Sequence, residues 1–381
     1  MKKSLIAIAV LGAAAFSAQA ANVTLYGTVD AGFAYSHNKV KATGAEDVTT
    51  NSFKMANGLD GANKIGIKGE EDLGNMKVGF KLENQFYLSN GNLKDKNKLF
   101  SREARMYVKS ELGEISAGRF GGLASAAGSY DIFFAQADAF DGGDNAIKDG
   151  FSQSGRMDNA IAYQSPEVAG FQGTLMYSFR EEGDQADKMK HNNRYFGAGL
   201  TYNYGNLNLV GVVEGHLINK GEIADDNPYV KDERHKDGIT YNIGANYDFG
   251  VAKVLGGFQY ARHVQIGTIE TPMSDLGLAQ VDGYAGTLGV QVPFSNSNLT
   301  VGAYYSEFKN AFDAATVHDV LVDKKDAKLQ NYGLSARYKY NLSKRSSVYA
   351  GAGLGEAKLT AKDKTFKTQV AQVYLGLRHN F

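Results

Sequence analysis

The chain has 381 residues with 41 basic and 41 acidic side chains, no cysteine, no tryptophan and only 4 prolines, beside 45 glycines, 22 tyrosines and 21 phenylalanines. Balanced charge leaves no footprint for a nucleic-acid partner, and the lack of cysteine excludes a disulfide framework. Mean hydropathy is −0.33, which argues against a bundle of membrane helices but not against a barrel, whose alternating strands average to a hydrophilic score.

Residues 1–20 read as an export signal. Met1-Lys2-Lys3 is a basic start, "LIAIAVLGAAAF" from Leu5 is an apolar run too short to span a bilayer, and Ala18-Gln19-Ala20 has the small-x-small form of a cleavage site. Residues 21–381 are then expected to form one mature domain. Losing Lys2 and Lys3 leaves 39 basic residues against 41 acidic ones, a net charge near −2.

Alternation with a period of two begins at once. Val23, Leu25, Val29, Ala31, Phe33 and Tyr35 share one parity, while Thr24, Tyr26, Thr28, Asp30 and Ser36 take the other. On the third strand Val78, Phe80 and Leu82 take the apolar side, which turns Lys81 to the polar side beside Glu83. On the fourth, Ala104, Met106 and Val108 are apolar and Arg105 polar, with Glu103 nearby. Later stretches repeat the pattern: Phe171 to Phe179, Ile239 to Phe249, Tyr332 to Tyr340, and finally Val373, Leu375, Leu377 and the terminal Phe381 against Gln372, Tyr374, Arg378 and Asn380. The segments run about 9 to 13 residues, longer than the usual soluble strand and suited to a tilted bilayer crossing.

The connections alternate in length. Tight ones fall at 71–75, 111–114, 165–170, 204–206, 249–252, 293–298 and 341–346; long polar ones fall at 38–60, 88–99, 119–155, 181–193, 217–237, 265–281, 309–327 and 355–367. Seven tight turns and eight long loops separate sixteen strands, so the expected fold is all-β, a 16-stranded antiparallel transmembrane β-barrel with both termini at the short-turn end. No free sheet edge is tolerable in hydrocarbon, so the last strand must pair with the first. Tyr26, Tyr163, Tyr202, Tyr247, Tyr338 and Phe381, near strand ends, are expected in interfacial girdles.

A sixteen-strand barrel encloses a channel that wall side chains cannot fill. The candidate for narrowing it is the longest connection, the third long loop at 119–155, which is unusually rich in small and apolar residues. Those residues should pack on the inner wall. Asp131, Asp138, Asp141 and Asp144 are expected to face water, or else to bond the loop to the wall. Opposing cations come from parity: Lys81, Arg105, Arg119 where the loop begins, and Arg156 where the sixth strand starts, with Arg180 nearer the external mouth.

Other motifs carry less. "DAFDGGDNAIKDG" spaces its carboxylates every three residues rather than as an EF-hand loop does. "GAGLG" at 351–355 lies in a strand with no following helix. His37, His191, His216, His235, His263 and His318 show no metal spacing, and no nucleophile motif stands out. No catalytic residue, metal or cofactor is expected. The basic clusters at 94–98, 231–237 and 323–328 are solvated loop charges that could meet lipopolysaccharide phosphates.

"ANVTLYGTVDAGF", "RMDNAIAYQSPEVAGFQGTLMYSF", "YNLSKRSSVYAG" and the final "LRHNF" span the mature chain. In them the chain resembles the general diffusion porins of β-proteobacteria, including the Neisseria type. The resemblance implies a homotrimeric sixteen-stranded barrel of the bacterial outer membrane with its third loop folded into the lumen. It also implies that Phe381 is part of the signal read by the barrel-assembly machinery. The function expected is passive diffusion of ions and small hydrophilic solutes, the alternative being a channel of the same architecture for one solute class. Cations on rigid strands lean the expected ion preference toward anions.

Overall fold

The computed structural model describes residues 22–144, 150–184, 189, 192–218, 236–264, 280–309, 315–317, 320–322, 327–361 and 364–381. The expected export signal lies outside the described residues, as does most of 217–237, 265–281 and 309–327. The first half of the chain forms β1 (Thr24–Ala42), β2 (Val48–Asn57), β3 (Lys64–Asp72), β4 (Met76–Gln85), β5 (Glu103–Ser110), β6 (Gly113–Gly121), β7 (Arg156–Gln164) and β8 (Phe171–Ser178). A short helix, α1 (Phe134–Ala137), lies between β6 and β7. The second half adds β9 (Arg194–Tyr204), β10 (Leu207–Leu217), β11 (Gly238–Asp248), β12 (Lys253–Val264), β13 (Val281–Phe294) and β14 (Ser297–Lys309). After a small hairpin, β15 (Ala315–Val317) and β16 (Val320–Val322), the chain ends with β17 (Lys328–Asn341), β18 (Ser346–Ala361) and β19 (Lys364–Asn380).

Each main strand pairs antiparallel with its neighbours, and β19 pairs β1 from Thr28↔Asn380 to Ala42↔Phe366. The sheet is closed. Its seventeen pieces occupy sixteen positions, because β2 and β3 both pair β1, at Ala31↔Asn57 to Val40↔Val48 and at Thr24↔Lys68 to Thr28↔Lys64 respectively. The terminal Phe381 completes the seam: its N–H and carbonyl exchange 3.1 Å bonds with Gly27, and a Cβ on Gly27 would sit 2.3 Å from the Phe381 ring.

All seven tight turns fall where the sequence places them. Two of the expected long loops, 38–60 and 355–367, are shorter than the sequence suggests. β1 and β2 continue as a ladder through most of 38–60, and β18 and β19 pair up to Ala361↔Lys364 across 355–367. Where a hairpin rises out of the bilayer both faces meet water, so backbone pairing persists with no alternation to reveal it.

One face of the closed sheet is buried and polar and the other exposed and apolar. Thr28, Asp30, Ser36, Thr240, Asn242, Gln259 and Ser335 are buried, while Leu25, Phe33, Met106, Ile161, Leu175, Ile243, Leu288, Leu334, Leu354 and Leu375 are exposed. Exposed apolar surface on this scale is an outer face made for lipid, since soluble monomers keep such patches small. Two aromatic levels bracket it. Tyr163, Phe171, Tyr204, Tyr247, Phe294, Tyr338 and Phe381 are exposed toward the short turns, and Phe258, Tyr284, Tyr305 and Tyr332 form a contact chain across β12, β13, β14 and β17. Tyr26 departs from the expected girdle. It lies on the polar parity, and its hydroxyl donates to Glu83 at 3.1 Å.

Candidate functional site

The connection between β6 and β7 bonds to strands far from its own. Near its start, the Leu123 N–H donates to the Tyr195 oxygen at 3.1 Å and the Ala124 N–H to Glu214 at 2.9 Å. Further on, Asn246 donates to the Gln136 carbonyl and Gln291 to the Ala139 carbonyl, both at 2.8 Å. Near its end, Ser152 and Gln259 exchange bonds of 2.8 and 3.0 Å. Every one of these partners is on the polar parity.

Apolar packing accompanies these bonds. Phe133, Phe134 and Phe151 are fully buried with ring centroids 5.0 to 5.9 Å apart. The wall makes room with glycine: a Cβ on Gly199 would lie 2.4 Å from Ile132, and one on Gly257 would lie 2.9 Å from Ala137. The small and apolar residues of the segment therefore pack on the wall, as their composition suggests.

The four loop aspartates divide into two pairs. Asp138 and Asp144 do not face water. Asp138, 3% exposed, accepts from the Tyr304 hydroxyl at 2.8 Å and from the Gly142 and Gly143 N–H groups at 2.7 and 2.8 Å. Asp144, 4% exposed, accepts from the Tyr374 hydroxyl at 2.8 Å and from Ser335, with Arg337 at 3.5 Å. Both bond the loop to the wall, because a buried carboxylate must find donors and tyrosine hydroxyls on β14 and β19 supply them.

Asp131 and Asp141 form the other pair. Asp131 accepts from the Phe134 and Ala135 N–H groups at 3.3 and 3.2 Å. Burial, and next the neighbouring charge of Asp141, push its carboxyl well above the usual range. As pH falls the pair should take up a proton before ordinary carboxylates do. Loss of that negative charge should favour anions, so the permeability ratio is expected to drift toward anions over a window above the ordinary carboxylate range. Recording the zero-current potential against pH checks this, and Asp131→Asn should erase the drift.

On β3 to β6 the structure brings Lys81 and Arg105 together. Lys81 contacts Glu103 at 2.7 Å and Ser129 of the loop at 3.0 Å. Arg105 meets Glu103 at 2.8 Å and Glu114 at 2.6 Å, and its guanidinium lies over the rings of Tyr107 and Tyr130 at 4.7 and 5.3 Å. Lys64 and Arg102 share Glu83 at 3.3 and 2.5 Å. Glu83 and Glu103 lie behind their cations, whereas Glu114 at 17% is more exposed than Arg105 at 10%. Glu83 and Glu103 are 2% and 0% exposed, against 29% for Lys64, 21% for Lys81 and 14% for Arg102.

Arg119 pairs elsewhere, while Arg156 lies within electrostatic reach of Arg102, Glu83 and Glu103. The register between β6 and β7 shifts between Gly118 and Phe120, and Asn159 has φ of 50°. A bulge there re-aims the adjoining side chains. Arg119 pairs with Asp158, which Lys98 also reaches at 2.8 Å. Arg156 and Arg180 line the same cavity of about 590 Å³, with Asp95, Glu181 and Glu182.

Simple parity on the sixth strand could not foresee the pairing of Arg119 with Asp158. Parity does extend to Glu114, which pairs with Ser116 on the polar side. Lys64 carries a similar signal. Tyr130, which donates to Glu114 at 2.8 Å, had none, since a loop residue has no periodic neighbour. Among the described residues no group of His, Asp and Glu has the arrangement of a metal site.

A closed sixteen-position barrel with an apolar exterior and a charged polar interior is the architecture of a bacterial outer-membrane channel. The Gram-negative porin family matches residues 7–359. The chain belongs to that family. Its similarity to an outer membrane porin protein of Bordetella pertussis is 30% identity across 100% of both chains, and to the major outer membrane protein P.IB of Neisseria meningitidis serogroup B 28% across 100% of both. The anion-selective porin from Comamonas acidovorans shares the fold, with a TM-score of 0.62 and 22% identity over 95% of this chain and 100% of that one. This porin is thus an outer-membrane protein whose barrel provides a passage for passive diffusion.

Proposed function

We propose that the segment 119–155 lies across the lumen as its constriction, and that the porin passes small anions in preference to cations. The observation that carries the preference is the asymmetry of exposure at Lys64, Lys81 and Arg102: these cations meet the water while Glu83 and Glu103, which pair with them, are covered. A permeating ion then meets the cationic side of each pair at closer range, and the attraction falls with distance. The relative named an anion-selective porin is in accord with this preference. Transport follows the concentration gradient, and no chemical step is involved.

The zero-current potential of the protein in a planar bilayer under a salt gradient tests the reading. It is expected to carry the sign of anion preference, and Lys81→Gln should reduce it. A cation-selective wild type would sink the preference.

The assembly proposed is the homotrimer that the family resemblance implies, with the exposed aliphatic side chains of β1 and β19, such as Leu25, Val373 and Leu375, as contacts. Phe381, held by Gly27 at the seam, is proposed as part of the signal read by the assembly machinery. The exposed lysines of 94–98 are proposed to meet lipopolysaccharide phosphates.

A further inference from the structure

The interruption between β2 and β3, residues 58–63, is not a surface loop. Both flanking strands pair β1, so the sheet continues past it while these residues leave the ladder. Asp30 of β1 holds the segment: its carboxylate accepts from the Asp60 and Gly61 N–H groups at 3.0 and 2.7 Å, and its carbonyl from the Gly58 N–H at 2.9 Å. Gly58 has φ of 66°, a conformation that suits glycine at the point where the chain turns aside.

The segment delivers one carboxylate to three cations on other strands. Asp60 lies 3.2 Å from Arg337 and 3.2 Å from Lys339 on β17, and 3.1 Å from Arg378 on β19. Its side chain is 1% exposed, whereas Lys339 and Arg378 are 32% and 27% exposed. Arg337 also reaches Asp144 at 3.5 Å and lies over the Phe140 ring at 4.9 Å, which ties the segment to the loop between β6 and β7. The layout repeats that of Lys64, Lys81 and Arg102 on a different part of the wall.

We propose that Asp60 is a specificity-determining residue: the 58–63 segment is a second inward element that holds Lys339 and Arg378 toward the water and sets, from behind, how much positive charge they present. The inference rests on the reading of the barrel as an ion channel and extends it to a sector that the constriction loop does not supply. With Asp60, Asp144 and Asp30 opposing Arg337, Lys339 and Arg378 the sector is balanced, so removal of either sign leaves one unit uncompensated.

The test is the zero-current potential of the full-length trimer fraction in a planar bilayer, for the wild type, the near-isosteric Asp60→Asn and Lys339→Gln. Asp60→Asn is expected to move the anion-to-cation permeability ratio at least about twofold toward anions, and Lys339→Gln by a similar factor toward cations, as one unit charge within about a nanometre of the path would do. A conducting Asp60→Asn channel with the wild-type ratio would overturn the proposal and leave the channel reading intact. If Asp60→Asn does not assemble, Lys339→Gln decides alone: a shift toward cations supports the proposal, and an unchanged ratio overturns it. A wild type that assembles but is silent would overturn the channel reading and this proposal with it.

Discussion

Asp138→Ala combined with Asp144→Ala is expected to raise single-channel conductance and add slow current fluctuations, with the folded barrel retained. These two carboxylates join the loop to β14, β17 and β19 through Tyr304, Ser335 and Tyr374. Their loss takes a charged acceptor away from buried hydroxyls, which costs about 1–3 kcal/mol per anchor. A bias of that size changes a docked-to-undocked equilibrium by roughly 5- to 150-fold. Bilayer recordings read the conductance, and the heat-modifiable shift on gels reads the barrel. Tyr374→Phe should act in the same direction more weakly, because it removes one donor and keeps the ring. Conductance and noise identical to wild type in the double variant would show that these contacts do not set the passage.

Arg105→Ala is expected to have the larger effect on stability and to move selectivity toward cations. Arg105 is the shared partner of Glu103 and Glu114 and stacks on Tyr107 and Tyr130. Its removal leaves Glu114 without a cation among the described residues and Glu103 with Lys81 alone. Breaking a buried pair on one side costs about 3–5 kcal/mol, and Lys81 should keep the loss near the lower figure. Arg105→Lys should restore charge but not the planar stacking or the two-sided bonding, so it recovers the zero-current potential more fully than the unfolding temperature. Both variants can be read from the same recordings and from the temperature at which the folded band disappears on a gel. An unchanged potential in Arg105→Ala would remove this residue from the selectivity argument.

The barrel itself was legible because a lipid-facing strand has a one-dimensional code. Every second residue from Phe33 or Leu375 must satisfy hydrocarbon, and the tight turns interrupt that code at short, regular intervals. The code fell silent wherever both faces meet water, as along 38–60 and 355–367, where pairing continues unannounced. It gave no partner for residues beyond an irregularity: the register shift after Gly118 accompanies the pairing of Arg119 with Asp158, and Arg119 and Arg156 line one cavity. It could not distinguish Asp131 from Asp144 in the loop, since their difference lies in which hydroxyl each happens to meet.

The amino-acid order alone determined the class of the protein. An alternating lipid-facing surface, sixteen strand positions and a long apolar insertion after the fifth all follow from local composition and period, because the bilayer imposes the same demand on every strand. Only the tertiary structure decided the charge pattern of the interior. Which carboxylate lies behind which cation depends on strands that are distant in the chain and brought together by closure, as with Asp60 and Arg378. Electrostatic influence falls with distance in space, and sequence separation carries no record of that distance.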